Sequence, residues 1–264
     1  MVAYFPDFEA EANWRNIAML KSQEGQHVPQ VTFPILVNGA WEKIGSDALF
    51  KGKTVVLFAL PGAFTPTCSS MHLPRYNELA GTLKANRVDS VICLAVNDPF
   101  VMGAWQEAQQ AEGIYFLPDG NGEFSAGMGM LVDKSDIGLG KRSWRYSMLV
   151  KDGLIEKMFI EVEEPGDPFK VSDADTMLGY INPKAAPPPR ITIFSKKGCP
   201  HCARAREMLN KEGDRFEEIE LWSNGISYSS LQAVSGQETT PQVFIDGQHI
   251  GGADELALWL AKAK

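Results

Sequence analysis

The chain has 264 residues, a formal net charge of −8, 44% hydrophobic residues and 22% charged residues. That much apolar material can build a buried core, which excludes a globally disordered protein, and the acidic balance argues against a bulk nucleic-acid binder. The 4 cysteines are too few for a disulfide-built secreted scaffold, and no stretch reaches the roughly 18 apolar residues of a membrane span. The acidic N-terminus lacks a signal-peptide layout, so the expectation is a cytoplasmic protein with free thiols and no membrane partner.

Residues 1–21 fit neither a strand nor a core-helix pattern. They are expected to form an N-terminal extension: a partner-facing amphipathic helix, a loose arm or, with Met19 as an alternative start, a segment absent in the cell. The run Thr54 to Leu60 reads as a buried strand, followed by the loop Pro61 to Thr67 and a helix from Cys68 to Lys84. Val91 to Val96 reads as a second buried strand, Val101 to Gln110 as a helix, and Ile114 to Leu117 as a short strand. Arg145 to Val150 and Leu154 to Val162 flank Lys151-Asp152-Gly153 as a hairpin. A last helix spans Ser172 to Ile181, capped by Ser172 or Asp173. Strands alternating with helices indicate an α/β layered domain over residues 22–181.

Residues 182–189, Asn-Pro-Lys-Ala-Ala-Pro-Pro-Pro, then break the pattern. Consecutive prolines favour an extended polyproline II spacer, so this stretch is read as a linker. Beyond it, residues 190–264 repeat the alternation in a βαβαββα order. Strands are expected at Ile191 to Phe194, Phe216 to Leu221 and Gln242 to Asp246. Helices are expected at Cys199 to Lys211, Ser229 to Val234 and Ala253 to Ala263.

Cys199-Pro200-His201-Cys202 falls between a strand and a helix. Free N–H groups and the positive end of the helix dipole stabilise a thiolate there, and Lys196 and Lys197 add positive charge. Cys202 is one turn on and within reach for a disulfide. A zinc site would need about four ligands. No second CxxC or histidine pair supplies them, so no metal is expected. With Thr239-Thr240-Pro241-Gln242 and Gly251-Gly252-Ala253-Asp254 downstream, residues 190–264 resemble glutaredoxin, a thioredoxin-fold family. The resemblance implies that Pro241 is cis and faces the CxxC. It implies that Thr240 pairs with the glutathione backbone and that Gly252, Ala253 and Asp254 hold the γ-glutamyl carboxylate. Lys196 would meet the glycyl carboxylate. The family carries Tyr or Phe where this chain has His201, which leaves the reduction potential undetermined.

Pro61-Gly62-Ala63-Phe64-Thr65-Pro66-Thr67-Cys68 also leads from a strand into a helix. Thr65 lies about one turn before Cys68, so its hydroxyl can approach the sulfur, and His72 lies four residues on along the helix. On PGAFTPTCSSMHLPRY, Ala95 to Asp98 and RYSMLVKDG, residues 22–181 resemble a peroxiredoxin of the peroxiredoxin-5 type. The resemblance implies that Cys68 attacks peroxide, that Thr65 binds it within a loop shaped by Pro61, and that Arg145 completes the site. Arg75 stands where a glycine is common, at the expected pocket rim or dimer contact. Cys93 lies in an apolar strand and is read as a core residue. Some relatives carry a resolving cysteine in the segment matching 166–170, and this chain has none there.

As a whole the chain resembles bacterial peroxiredoxin–glutaredoxin hybrids, two thioredoxin-fold domains joined by a Pro-rich linker. The implied activity is glutathione-dependent reduction of hydrogen peroxide and alkyl hydroperoxides. Glutathione would be a co-substrate, no cofactor would be bound, and the protein would be a homo-oligomer, a dimer or tetramer. Two alternatives stay open. One is a general disulfide reductase or deglutathionylating enzyme whose front domain only recognises partners. The other is a redox-switched binding protein.

Overall fold

The structure, a computed structural model, describes residues 20–164, 166–223 and 225–262. The expectation for the N-terminal extension falls largely on residues 1–19, outside the described residues. The chain divides into two compact units, one ending at Pro183 and one beginning at Lys184.

In the first unit the elements are β1 (Thr32–Val37), β2 (Ala40–Gly45), α1 (Ser46–Phe50), β3 (Thr54–Ala59), α2 (Leu73–Ala85), β4 (Ser90–Ala95) and α3 (Pro99–Ala108). After these come β5 (Tyr115–Pro118), α4 (Glu123–Gly127), β6 (Leu131–Lys134), β7 (Gly140–Ser143), β8 (Tyr146–Lys151), β9 (Leu154–Ile160) and α5 (Ala174–Ile181). The main sheet has the order β5-β4-β3-β8-β9. Its β5, β4 and β3 are parallel, and β8 and β9 join antiparallel.

The inner strands read as unbroken apolar runs because both faces of the sheet are covered. Val55, Leu57, Ala59, Ile92, Leu94 and Met148 pack on one face with Phe33, Phe50 and Phe124. Alternation turns Phe58 to the other face, where its ring stacks on Tyr76 of α2 at 4.1 Å. Cys93 and Ser147 flank Phe58 in register, so they share this face. Cys93 is fully buried, as read from its apolar strand.

The second unit contains β10 (Ile191–Ser195), α6 (Pro200–Glu212), β11 (Phe216–Glu220), α7 (Tyr228–Ser235), β12 (Gln242–Ile245), β13 (Gln248–Gly251) and α8 (Ala253–Lys262). Its sheet has the order β11-β10-β12-β13, with β10 parallel to β11 and antiparallel to β12. Ile193, Ala205, Leu209, Val243 and Leu256 form the core between sheet and helices. Both units carry the thioredoxin fold.

Several boundaries differ from expectation. The helix placed at Cys68 to Lys84 is two pieces: a π-helical turn over Cys68–His72, then α2. The helix placed at Val101 starts earlier, because the Asp98 carboxylate accepts the N–H groups of Phe100 and Val101 and caps it. Asp173, not Ser172, caps α5 by accepting the Thr176 N–H. The antiparallel pairs β1–β2 and β6–β7 were not anticipated. Arg75 is largely buried and does not line the cavity of Pro61, Thr65 and Arg145. It donates to both Asp175 oxygens and to Glu78, tying α2 to α5.

Candidate active sites

The loop after β3 is shaped by short-range contacts. Phe64 takes a left-handed backbone (φ 61°), a costly conformation for a bulky residue, and its side chain is exposed. Beyond it the Thr65 hydroxyl donates back to the Gly62 carbonyl at 2.8 Å. The Ala63 N–H donates to Asn97 Oδ1 at 3.0 Å, and Arg142 Nη1 donates to the Val96 carbonyl at 3.2 Å. A side chain at Gly62 would bring its Cβ to 3.2 Å from Arg142 Nη1, a tight approach that the arginine would have to yield to. Helical geometry then begins at Pro66, which puts Cys68 inside the first turn rather than at its cap.

Pro61, Thr65 and Arg145 line one cavity of about 320 Å³, together with Trp144, Leu139 and Pro168. Thus three of the expected site residues converge. Cys68 is fully enclosed and is not part of this lining.

Arg145 is the most constrained side chain of the site. It is buried, its Nη2 donates to both oxygens of Asp167 at 2.5 and 2.6 Å, and Phe169 packs against its guanidinium at 5.7 Å. Its Nη1 meets Nδ1 of buried His72 at 3.0 Å. Its Nε–H has no hydrogen-bond partner among the described residues. His72 Nε2 lies 3.1 Å from the Ser172 carbonyl, which also accepts from the Tyr76 hydroxyl at 3.0 Å. Burial, reinforced by the Arg145 charge, holds the His72 imidazole well below its ordinary 6.5.

Ser172 is held in turn. The buried Glu161 carboxylate accepts the N–H groups of Lys170, Val171 and Ser172 and the Ser172 hydroxyl, at 2.7–2.9 Å. Burial opposes its ionisation, but these four donors outweigh it and keep Glu161 below its usual range. Cys93 is the opposite case. Burial, with the nearby Cys68 charge, pushes its thiol well up, so it is inert.

In the second unit Cys199 is itself the N-cap of α6: the Cys202 N–H donates to its sulfur at 3.2 Å. The Thr240 hydroxyl lies 3.7 Å from that sulfur and the Thr240 carbonyl 3.5 Å. Burial works against ionisation. Hydrogen bonds from the Cys202 thiol and N–H, the Thr240 hydroxyl and the His201 N–H outweigh it, so Cys199 titrates below an ordinary thiol. Burial and the neighbouring Cys199 push Cys202 up. The Thr240–Pro241 peptide is cis.

A cleft of about 660 Å³ runs past His201 and is lined by Thr240, Pro241, Gly252, Ala253 and Asp254, five of the six residues expected to hold glutathione. The sixth, Lys196, is outside this lining. Its ammonium sits 5.8 Å from the Tyr228 ring, close enough to both thiols to feel their charge. Glu255 accepts the Gly252 N–H at 2.8 Å, and Asp254 pairs with Arg204. Among the described residues no cluster of His, Cys, Asp and Glu could hold a metal ion, and no helix is long and apolar enough to cross a membrane.

Sequence reasoning missed Asp167, Glu161 and the role of His72. The 166–170 segment carries no thiol to draw notice, and a single acidic residue in a loop gives no periodic signal.

Comparison with known proteins covers both units. The Redoxin family matches residues 23–178 and the Glutaredoxin family residues 191–250. A hybrid peroxiredoxin from Haemophilus influenzae is 57% identical over 242 residues, covering 92% of this chain and all of that protein. A peroxiredoxin from Synechocystis is 54% identical, over 61% of this chain and 93% of its own length. Among solved structures, reduced Prx3 from Vibrio vulnificus in complex with H2O2 is 42% identical, with a TM-score of 0.58, over 61% of this chain and 99% of that one. A 1-Cys peroxiredoxin from Plasmodium falciparum is 32% identical, with a TM-score of 0.59, over 62% of this chain and 100% of that one. The chain therefore belongs to the redoxin family as a peroxiredoxin, a thiol peroxidase, with a glutaredoxin domain fused after it.

Proposed function

We propose that Cys68 reduces hydroperoxides and that glutathione, acting through Cys199, regenerates it. The observation that carries this reading is the convergence of Thr65, Pro61 and buried Arg145 on one cavity at the Cys68 helix start. The Cys68 thiolate attacks the distal peroxide oxygen, the O–O bond breaks, and the departing alkoxide or hydroxide takes a proton. Cys68 is left as a sulfenic acid.

Thiolate formation alone does not explain a fast reaction. An ordinary thiol near pKa 8.5 is a few per cent ionised at pH 7, so full ionisation gains about 30-fold at most. Nucleophilicity falls with pKa at a slope of about 0.4–0.5, so a three-unit drop loses on the order of 20-fold. Rate must come from acting on the peroxide. Thr65 aligns it, and Arg145, with the Cys68 N–H, stabilises charge on the leaving oxygen.

The chain offers no resolving thiol near Cys68 other than inert Cys93. Glutathione therefore condenses with the sulfenic acid, releasing water and leaving a Cys68–glutathione disulfide. The Cys199 thiolate attacks the glutathione sulfur and releases the Cys68 thiolate. A second glutathione thiolate then attacks the Cys199–glutathione disulfide at the glutathione sulfur, forming glutathione disulfide and releasing the Cys199 thiolate. The low-lying Cys199 and the cleft at Thr240, Pro241, Gly252, Ala253 and Asp254 support this step, with Lys196 meeting the tripeptide from the other side of the thiols. Residues 22–181 act as the peroxidase domain, 182–189 as the spacer and 190–264 as the glutaredoxin domain. Tethering supplies Cys199 at high effective concentration. Transfer within a dimer or tetramer is part of the same reading, as is a reducing cytoplasmic setting.

The test is mass spectrometry of the Cys199→Ser chain after peroxide and glutathione. A glutathione adduct on Cys68 is expected. A Cys68–Cys93 disulfide, or unmodified Cys68, would refute the cycle.

A further inference from the structure

The geometry points to His72 as the positioning residue that orients Arg145 for O–O cleavage, held in its Nε2–H form by the Ser172 carbonyl. This rests on the reading of Cys68 as the thiol that meets peroxide.

The argument is one of donors and acceptors. A guanidinium carries only donors, so the His72 Nδ1 facing Arg145 Nη1 at 3.0 Å must present its lone pair. A carbonyl carries only acceptors, so the His72 Nε2 facing Ser172 at 3.1 Å must carry the hydrogen. One tautomer of the neutral ring satisfies both contacts. The other tautomer, or the imidazolium, would set donor against donor at Arg145, and a flipped ring would face it with a carbon. The ring is packed between Phe58 and Phe169, whose centroids lie 5.0 and 4.9 Å away.

The consequence falls on Arg145. Asp167 takes Nη2 from the half-exposed side, and His72 takes Nη1 from the buried side. A planar group held at both ends cannot turn, and Nε–H, buried and unpartnered, is left as a donor toward a ligand in the cavity that Arg145 lines. Were His72 absent, Arg145 would pivot on Asp167 alone, and the leaving oxygen would lose a preorganised donor. The clamp at Glu161 belongs to the same device, because it fixes Ser172 and so fixes which ring nitrogen is protonated.

The test uses the full chain and two variants that each keep half of the ring's bonding. His72→Asn places an amide oxygen near the Nδ1 position and keeps an acceptor for Arg145. His72→Gln reaches the Nε2 position and keeps a partner for Ser172 but none for Arg145. Two rates at Cys68 are read by peptide mass spectrometry: oxidation by hydrogen peroxide and alkylation by iodoacetamide. Alkylation senses thiolate fraction and access but needs no donor on a leaving oxygen.

In His72→Gln, peroxide oxidation is expected to slow about tenfold or more. Alkylation and its pH midpoint should stay within about threefold of the parent, and His72→Asn should recover most of the peroxide rate. Equal peroxide rates in the two variants, or a parallel fall in both reactions, would overturn the inference. Nitrogen NMR of the unsubstituted chain gives a second reading that depends on no variant folding. His72 should show the neutral Nε2–H pattern at pH 7, and an Nδ1–H or imidazolium pattern there would also overturn it. If Cys68 of the unsubstituted chain fails to react with peroxide at all, the peroxidase reading falls first and takes this inference with it.

Discussion

The two sulfur sites occupy similar places and use them differently. Cys68 and Cys199 each follow the first inner strand of their sheet and enter a helix. Cys199 is the cap itself, and its sulfur accepts the Cys202 N–H beside an open cleft. Cys68 is inside the first turn and fully enclosed, and the preceding Thr65 and Pro66 line a cavity whose charged groups are Arg145, Asp167 and Lys134. At Cys199 the hydrogen bonds converge on the sulfur and make it a better thiolate and leaving group. In the first unit they converge on the Arg145 guanidinium, which on the proposed reading meets the substrate. On that reading one site tunes the nucleophile, and the other tunes what the nucleophile attacks.

The sharpest way to break this comparison is to remove each sulfur in turn. Cys68→Ser should abolish peroxide consumption with glutathione as sole reductant. Cys199→Ser should abolish turnover yet leave a single round of Cys68 oxidation intact, as seen by stopped-flow. Loss of the first round in Cys199→Ser would mean that the sites are not separable. Next, Arg145→Ala should slow peroxide attack by roughly 10²–10³ while leaving glutathione-disulfide exchange at Cys199 unchanged. Comparable loss in both assays would show that the arginine serves folding alone.

A smaller effect separates the sites by pH. His72 has a lower pKa folded than unfolded, so below 6.5 the unfolded chain binds the extra proton and stability falls with acidity. The slope can reach about 1.4 kcal/mol per pH unit. It begins at the ordinary imidazole value and ends once the folded-state pKa is passed. Glu161, lowered by its four donors, adds its loss only near and below the carboxylate range. Urea midpoints between pH 5 and 7.5 should show this slope in the parent and not in His72→Asn. The mildest change is Thr240→Val, which removes one hydroxyl from Cys199. Its thiolate absorbance should titrate at a higher pH, by a fraction of a unit. A shift downward would contradict the hydrogen-bond account of that sulfur.

The inner strands were legible because they are continuous apolar runs, a pattern that only a doubly covered sheet demands. The two candidate cysteines, Cys68 and Cys199, were legible because each sits at a strand-to-helix junction with distinctive neighbours. The β1–β2 hairpin escaped notice although Asn38-Gly39, both at positive φ, is a strong turn signal. Its strands bury little besides Phe33, so their alternation is faint. Likewise Asp246-Gly247 marks the turn into β13, whose residues had not been assigned to the fourth strand of the expected order. The π-helical turn at Cys68 was illegible in principle, since no local propensity separates it from an α-helical start. Asp167 and Glu161 were hidden for another reason. Each lies in the 161–173 connection, a stretch without helix or strand periodicity, and works through a partner no local pattern marks: Arg145 for one and the N–H groups of residues 170–172 for the other.

The Glu161 cradle has a bearing on ionic strength. Its four partners are peptide N–H groups and a hydroxyl, enclosed and without formal charge. Counterions screen attraction between exposed charges over about 8 Å at physiological salt, and they have little purchase on a sequestered carboxylate held by dipoles. The Asp167 carboxylate, by contrast, is 41% exposed where it meets Arg145. Rising electrolyte should therefore loosen the outer grip on the guanidinium and spare the inner one, leaving a hinge whose pivot is His72.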